Sequence, residues 1–239
     1  MSKRNVNKTA ERAARAAALR AEQERKEKQR RLLTIAGVVA ALLLIVGVAV
    51  FLQMRSGKLN EDAVPPAGGT NDYGLRLGDA GADHEVVIYE DFLCPACKAF
   101  EDEFDAELES AAEEGRATVE YRPLDFLSRF GDYSERSANA FAVVLDTAGP
   151  EAAKEFHDIL YAEQPLEEGP FPDDEWLIEK AVEAGASESE VSDGIKELAF
   201  EAWVGNGTKS ATAAEINGTP TVLVDGEAID ASTLPEALR

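Results

Sequence analysis

Cys94 and Cys97 are the residues of this chain whose type and spacing are best suited to chemistry. They are the only two cysteines among 239 residues, and Pro95 and Ala96 separate them. Two thiols at this spacing can form a disulfide and open it again by thiol–disulfide exchange. The disulfide itself carries two electrons, so we expect a redox-active pair that needs no cofactor and no metal.

Two structural uses of the cysteines compete with this interpretation. A structural zinc site needs about four ligands, and the chain adds only His84 and His157, neither at a pairing spacing. A purely structural disulfide would close a loop of only two intervening residues, which restricts the unfolded chain little. Both alternatives are weaker than redox chemistry, although neither is excluded by the pair alone.

The residues around the pair predict a strand, a tight turn and a helix. Residues 86–89 are β-branched or aromatic, as in a buried strand. Pro95 suits the first helical turn. The apolar positions that follow recur at helical steps of three and four: Cys97, Phe100, Phe104, Leu108 and Ala111.

A cysteine at a helix N-terminus has chemical consequences. The free N–H groups and the positive end of the helix dipole stabilise an anion there, so the pKa of Cys94 should be lowered. Cys97 shares the same helix face and lies within reach of a disulfide. We therefore expect Cys94 to be the attacking sulfur and Cys97 the resolving one.

The charge distribution divides the chain around an apolar barrier. Residues 1–31 form a basic arm with a net charge of +7, whereas residues 55–239 carry a net charge of −29. Between them, residues 32–54 contain no charged residue and are long enough to span a bilayer as an uncleaved signal anchor. Positive charge stays on the cytoplasmic side, so we expect a single-pass membrane protein with its larger part outside.

The remaining sequence predicts a linker and one folded domain. Residues 55–72 are rich in Gly, Pro and polar residues and are interpreted as a tether, with the domain at residues 73–239. Within it, residues 118–122 and 221–224 are predicted strands, and residues 127–205 are predicted to be largely helical. Ser187 to Glu190 has capping-box spacing, and Asp225-Gly226 predicts a type I′ hairpin. The acidic charge and the lack of a basic patch argue against nucleic-acid binding.

Three features together resemble the DsbA-like branch of the thioredoxin superfamily, over about residues 74–239. They are the segment from Asp91 to Cys97, a helical insertion of the right length, and Gly218-Thr219-Pro220. The resemblance implies an α/β thioredoxin-like fold with an inserted helical subdomain. It also implies a cis Thr219–Pro220 bond that faces the cysteines, so that the Thr219 backbone pairs with an extended substrate peptide.

The sequence departs from well-known members of this family at two positions. Ala96 stands where these relatives commonly have His, and Ile88 stands where a buried acid, six residues before the first cysteine, is common. Glu90 and Asp91 are acids close to that position in the sequence, but they do not lie six residues before Cys94. These departures leave the redox poise and the proton-transfer group open.

The expected function is a membrane-anchored, extracytoplasmic thiol:disulfide oxidoreductase, in particular an oxidase that forms disulfides in unfolded or partly folded exported proteins. The resemblance implies a quinone-linked membrane partner, of the DsbB or vitamin-K-epoxide-reductase type, that reoxidises the pair. One alternative is a membrane-tethered reductase, for instance for cytochrome c maturation. Another is a thioredoxin-like binding module without catalysis.

Overall fold

The computed structural model describes residues 44–45 and 58–239. Within this part of the chain, no helix has the length and apolar character needed to cross a bilayer. The predicted basic arm lies outside the described residues, and so does the predicted anchor except for residues 44–45. The compact unit that carries the cysteines spans Leu59–Arg239.

A five-stranded mixed sheet forms the centre of this unit, in the order β1-β3-β2-β4-β5. Strands β2 and β3 are parallel, and the other three pairs are antiparallel. The predicted hairpin is confirmed, since Asp225 and Gly226 both have positive φ between β4 and β5. The strands are β1 Leu75–Leu77, β2 His84–Glu90, β3 Ala117–Pro123, β4 Thr221–Val224 and β5 Glu227–Ile229.

Helix α1, Pro95–Glu113, packs along one face of the sheet. The predicted apolar stripe is the face that it buries, because Phe100, Phe104, Leu108 and Ala111 contact the central strands. The buried strand positions beneath it are Val86, Ile88, Val119 and Tyr121. The same stripe carries Cys97 into the protein interior, with no exposed surface.

Four helices between β3 and β4 form the inserted subdomain. They are α2 Tyr133–Ala162, α3 Asp174–Glu183, α4 Glu188–Lys196 and α5 Glu201–Ala213, so the helical region extends beyond residue 205. Helix α2 is kinked at Gly149, which has a φ of 87° and precedes Pro150. Helix α4 begins where the capping-box spacing predicts, but the Ser187 hydroxyl pairs with Ser189 instead of an N–H group. The C-terminus adds a 3₁₀ turn, Ala231–Thr233, and a short helix α6, Leu234–Ala237.

The predicted linker spans residues 55–72, and in the structure residues 59–72 pack on the domain. The backbone N–H of Asn60 donates to the side chain of Asn206 at 2.7 Å, and Asn206 donates back to the Asn60 carbonyl at 2.9 Å. The N–H of Ala67 donates to Asp146 at 2.7 Å, and Pro66 is buried. Composition could not reveal these contacts, since each partner lies about 80 or more residues away.

Candidate active site

The turn between β2 and α1 places Cys94 at the N-terminus of the helix. Cys94 is the N-cap residue with extended backbone, and Pro95 follows in the first turn, as the sequence predicts. The Cys94 N–H donates to the Asp91 carbonyl at 2.8 Å. From the end of α2, the Gln164 amide donates to the carbonyls of Phe92 and Cys94, each at 3.0 Å. Hydrogen bonds within the turn and from Gln164 therefore both fix its conformation.

The two sulfurs differ in exposure and in acidity. Both are free thiols here; Cys94 is 8% exposed and Cys97 is fully buried. The pKa of Cys94 is lowered to about 5, chiefly because the Cys97 thiol donates a hydrogen bond to its thiolate, which outweighs burial. The Thr219 side chain and the N–H groups of Cys97 and Ala96 add to this stabilisation. Burial, together with that same hydrogen bond, raises the pKa of Cys97 far above its usual value.

Pro95 and Ala96 are exposed, and their side chains make no hydrogen bond to the Cys94 sulfur. Pro95 starts the helix, and Ala96 offers the thiolate only its N–H group. A side chain at position 96 would lie at the protein surface beside the redox pair. The lowered pKa of Cys94 thus arises without any charged side chain in the CxxC segment.

The loop before β4 faces the cysteines, as the resemblance implies. The Thr219–Pro220 bond is cis, and the Cys94 thiol donates to the Thr219 carbonyl at 3.3 Å. Strand β4 begins directly after Pro220 and pairs Thr221 with Tyr89 near the end of β2. This pairing brings two segments that are 125 residues apart in sequence to one site.

A groove of about 370 Å³ opens beside the Cys94 sulfur. Its walls come mainly from two segments, the loop after β3 and the segment from the end of α5 to β4, and Glu167 from the loop after α2 completes them. It carries both apolar and polar groups. Its walls include Phe126, Leu127, Arg129, Ile216, Asn217 and Gly218.

Asp91 joins the active-site turn to the helical subdomain, a role that sequence reasoning did not assign. Its carboxylate accepts hydrogen bonds from the N–H groups of Leu93 and Leu127, each at 2.9 Å, and from the Ser134 hydroxyl at 2.6 Å. Burial raises the pKa of Asp91 to about 6, although these donors oppose the shift. Asp91 is therefore a structural acid beside the pair.

A second buried group, Glu90, Glu101 and His157, lies beneath the cysteines and was also missed. Glu90 ends β2, and its carboxylate contacts His157 Nε2 at 2.9 Å. Burial lowers the pKa of His157, but the neighbouring Glu90 and Asp158 carboxylates outweigh it and raise the value to about 10. Burial raises the pKa of Glu101 to about 8, and the positive charge of His157 opposes this.

The sequence did contain a signal for this group. Glu101 follows Cys97 by four residues, so it interrupts the buried stripe of α1 with a charged side chain. His157 lies likewise beside Phe156 in the apolar stripe of α2. Position 88, where relatives commonly have an acid, is a buried isoleucine, and Glu90 enters the interior two residues later. His84 is distant from the pair and contacts Asp225 at the hairpin.

Comparisons with known proteins agree with this geometry. A family model described as Thioredoxin matches residues 70–239. The reduced disulfide bond oxidoreductase DsbG of Mycobacterium tuberculosis is 31% identical, with a TM-score of 0.62, covering 69% of this chain and 85% of that one. Reduced DsbA of the same organism is 30% identical, with a TM-score of 0.60 and coverages of 70% and 90%.

A third similar structure comes from another organism. The thiol-disulfide oxidoreductase MdbA of Corynebacterium diphtheriae is 25% identical, with a TM-score of 0.63, and the match covers 75% of this chain and 97% of that one. No curated protein sequence matches this chain significantly. The matched region contains both cysteines and the Thr219–Pro220 loop.

Proposed function

Because the chain belongs to the thioredoxin family and is a thiol-disulfide oxidoreductase, we propose that it works as an oxidase that forms disulfides in exported proteins. The observation that carries this proposal is the placement of Cys94 at the N-terminus of α1, 3.3 Å from the Thr219 carbonyl and within hydrogen-bond reach of the Cys97 thiol. In this setting the pKa of Cys94 is lowered to about 5, so its thiolate is stabilised. A dithiol whose thiolate is stabilised gives up its electrons reluctantly, so its disulfide is a strong oxidant. This preference supports the oxidase direction over the reductase direction.

The reaction proceeds by two exchanges at sulfur. A substrate thiolate attacks the Cys94 sulfur of the enzyme disulfide, and Cys97 leaves and takes up a proton. A second substrate thiolate attacks the substrate sulfur of the mixed disulfide, and Cys94 leaves as a thiolate. The substrate dithiol loses two electrons and the enzyme disulfide gains them. A thiol of low pKa is the better leaving group, which favours release of Cys94 in the second step.

The groove beside Cys94 suits an extended segment of substrate. The Thr219 backbone lies next to the sulfur, at 3.3 Å, where it can pair with a peptide backbone by strand addition. Backbone pairing requires no particular side chain, so substrates of many sequences fit. Unfolded or partly folded proteins offer such segments.

The location and partners of the protein are part of the same proposal. The uncharged segment at residues 32–54 and the net charge of +7 before it support a single-pass anchor, with the catalytic domain outside the cytoplasmic membrane. Disulfides persist in that compartment. A quinone-linked membrane protein of the DsbB or vitamin-K-epoxide-reductase type would reoxidise the pair.

Equilibration of the full chain with glutathione tests the direction of electron flow. We expect a reduction potential between those of thioredoxin and DsbA, about −270 and −120 mV, because Cys94 is stabilised but Ala96 adds no side-chain donor. Ala96→His should make the pair more oxidising. A potential at or below that of thioredoxin would favour the reductase alternative instead.

Trapping experiments separate an enzyme from a binding module. The Cys97→Ser variant should accumulate mixed disulfides with exported proteins. Its Cys94 thiolate can attack a disulfide of such a protein and release one protein thiolate, and without the Cys97 thiol the mixed disulfide is not resolved. Cys94→Ser is the matched control and should trap none. If neither single variant traps a protein, and the double variant keeps the cellular phenotype, the chain acts as a scaffold.

Protease accessibility in spheroplasts tests the topology. External protease should digest residues 55–239 and spare the basic arm at residues 1–31. Protection of the catalytic domain would contradict the extracytoplasmic location.

A further inference from the structure

A buried cluster of potential metal ligands lies where β2, α1 and α2 meet. Glu90, Glu101 and His157 are 0%, 6% and 0% exposed. One ligand atom from each lies within 4.8 Å of the ligand atoms of the other two. Three separate elements contribute these side chains, so the complete fold assembles the cluster.

Three carboxylate oxygens in this cluster have no hydrogen-bond partner within the part of the chain that the structure describes. They are both oxygens of Glu101 and Oε2 of Glu90. A buried carboxyl group without hydrogen-bond partners is unfavourable whether it is ionised or neutral, and buried polar groups in proteins are normally hydrogen-bonded, paired or bound to a metal. The unpartnered oxygens of Glu101, on a side chain that also lies near Glu90 and His157, are therefore placed as cation ligands would be.

His157 is oriented as a ligating histidine would be. Its Nδ1 contacts Asp158 Oδ1 at 2.8 Å, while Nε2 faces Glu90 at 2.9 Å. Metal-bound imidazoles commonly have a carboxylate on the distal nitrogen, which fixes the tautomer and the ring plane. The aromatic rings of Tyr121 and Tyr161 contact the imidazole with centroids 4.7 and 5.0 Å away and restrict its rotation.

The nearest lysine is already committed to other carboxylates. Lys154 Nζ contacts Asp105 at 2.8 Å, Glu109 at 3.1 Å and Asp158 at 2.7 Å. It makes no hydrogen bond to Glu90 or Glu101 among the contacts of the described residues. The surroundings therefore carry more negative than positive charge, which favours a bound cation.

We propose that Glu90, Glu101 and His157 bind one divalent transition-metal ion. Two carboxylates and one imidazole suit Zn²⁺, Mn²⁺ or Fe²⁺, and Zn²⁺ is the probe ion for the test. Binding displaces whatever protons the carboxyl groups and Nε2 hold and involves no change of oxidation state. Neither cysteine is a ligand, so the site is additional to the oxidoreductase activity.

The test uses the full chain with Cys94→Ala and Cys97→Ala, because free thiols would themselves bind zinc. The protein is unfolded in urea with a chelator, refolded with Zn²⁺, freed of excess metal and analysed by mass spectrometry for zinc. We expect about one ion per chain, and at least tenfold weaker binding after Glu101→Gln or His157→Gln, as loss of a ligand requires. Glu109→Gln is the matched control and should bind normally.

X-ray absorption of the zinc-loaded parent keeps the test decisive if a ligand variant does not fold. We expect an oxygen and nitrogen shell that includes an imidazole. Negligible zinc in the refolded parent, a shell without imidazole, or unchanged binding in folded Glu101→Gln would each overturn the proposal. Since the cysteines are absent, these outcomes leave the oxidoreductase function untouched.

Discussion

At the scale of single residues, the acidity of Cys94 comes from neighbours on its own helical turn and from the loop opposite. The Cys97 thiol is the strongest of these influences, and the backbone of Cys97 and Ala96 and the Thr219 side chain follow. Burial acts in the other direction. The Cys97 thiol therefore has a second role besides disulfide formation, because its hydrogen bond stabilises the Cys94 thiolate.

The reduced protein should show a thiolate titration with a midpoint near pH 5. The folded pKa of Cys94 lies below the unfolded value, so its contribution to the stability of the reduced form is full above the unfolded pKa. That contribution falls with falling pH and is lost below about pH 5. Between pH 7 and pH 5 the loss is about 2–3 kcal/mol. Thiolate absorbance against pH measures the midpoint, and urea unfolding of the reduced and oxidised forms measures the stability.

Cys97→Ala provides the control for that titration. Removing the strongest hydrogen-bond donor should raise the midpoint of Cys94 by at least about one pH unit, since one unit corresponds to roughly 1.4 kcal/mol. A midpoint that stays near pH 5 would show that the helix N-terminus alone sets the acidity.

Residue roles could be predicted from the sequence where the interactions are local. The positions of Cys94, Pro95 and Cys97 follow from a single turn of helix, so spacing alone indicates them. Glu101 and His157 meet only after α1 and α2 pack together, and single-sequence patterns carry no information on that packing. The family resemblance indicated a buried acid at position 88, but this chain has an apolar Ile88 there and buries Glu90 instead.

At the scale of elements, Asp91 connects three parts of the fold. It accepts from the turn before α1, from the loop after β3 and from the first turn of α2. These three segments surround the redox pair. The geometry of the site therefore depends on one carboxylate that has no exposed surface.

Asp91→Ala should lower the free energy of unfolding by about 2–4 kcal/mol. The substitution leaves two N–H groups and one buried hydroxyl without partners, and hydrogen bonds to a charged acceptor are the stronger kind. Urea unfolding at pH 7 measures the change.

Asp102→Ala is the matched control for that substitution. Asp102 is exposed and pairs with Lys98 one turn away on α1, so its loss should cost less than about 0.5 kcal/mol. Equal effects of the two substitutions would contradict the role given to Asp91.

The elements themselves were largely predictable because each is encoded by a short-range pattern. Periodicity placed α1 and the central strands to within about two residues, and the two-residue turn fixed the hairpin. The packing of residues 59–72 was not predictable, because their Pro and Gly content is typical of linkers and their contacts with Asn206 and Asp146 are distant in sequence.

At the scale of the whole molecule, the compact unit is strongly acidic. Residues 59–239 contain 42 acidic and 11 basic residues, a net charge of −31. Most carboxylates therefore have no basic partner and repel one another across the surface. Such repulsion destabilises a compact state and is weakened by salt.

The protein should become more stable when salt is added. Raising sodium chloride from about 0.01 to 0.5 M shortens the screening length from about 30 Å to less than 10 Å, so the midpoint of urea unfolding should rise. The gain should be on the order of 1 kcal/mol or more and should shrink at pH 4.5, where many surface carboxylates are protonated. A midpoint that falls with salt would show that ion pairs such as Arg116–Glu107 outweigh the repulsion.

The groove beside Cys94 has a consequence for timing. Cys94 is only 8% exposed and lines this groove, so we expect a thiol to reach its sulfur most readily on an extended chain segment. If the protein oxidises exported proteins, as proposed, a client meets this condition before its own tertiary structure forms. Disulfide transfer and client folding would then compete as two rates, so slowly folding clients should receive disulfides while rapidly folding ones keep their thiols.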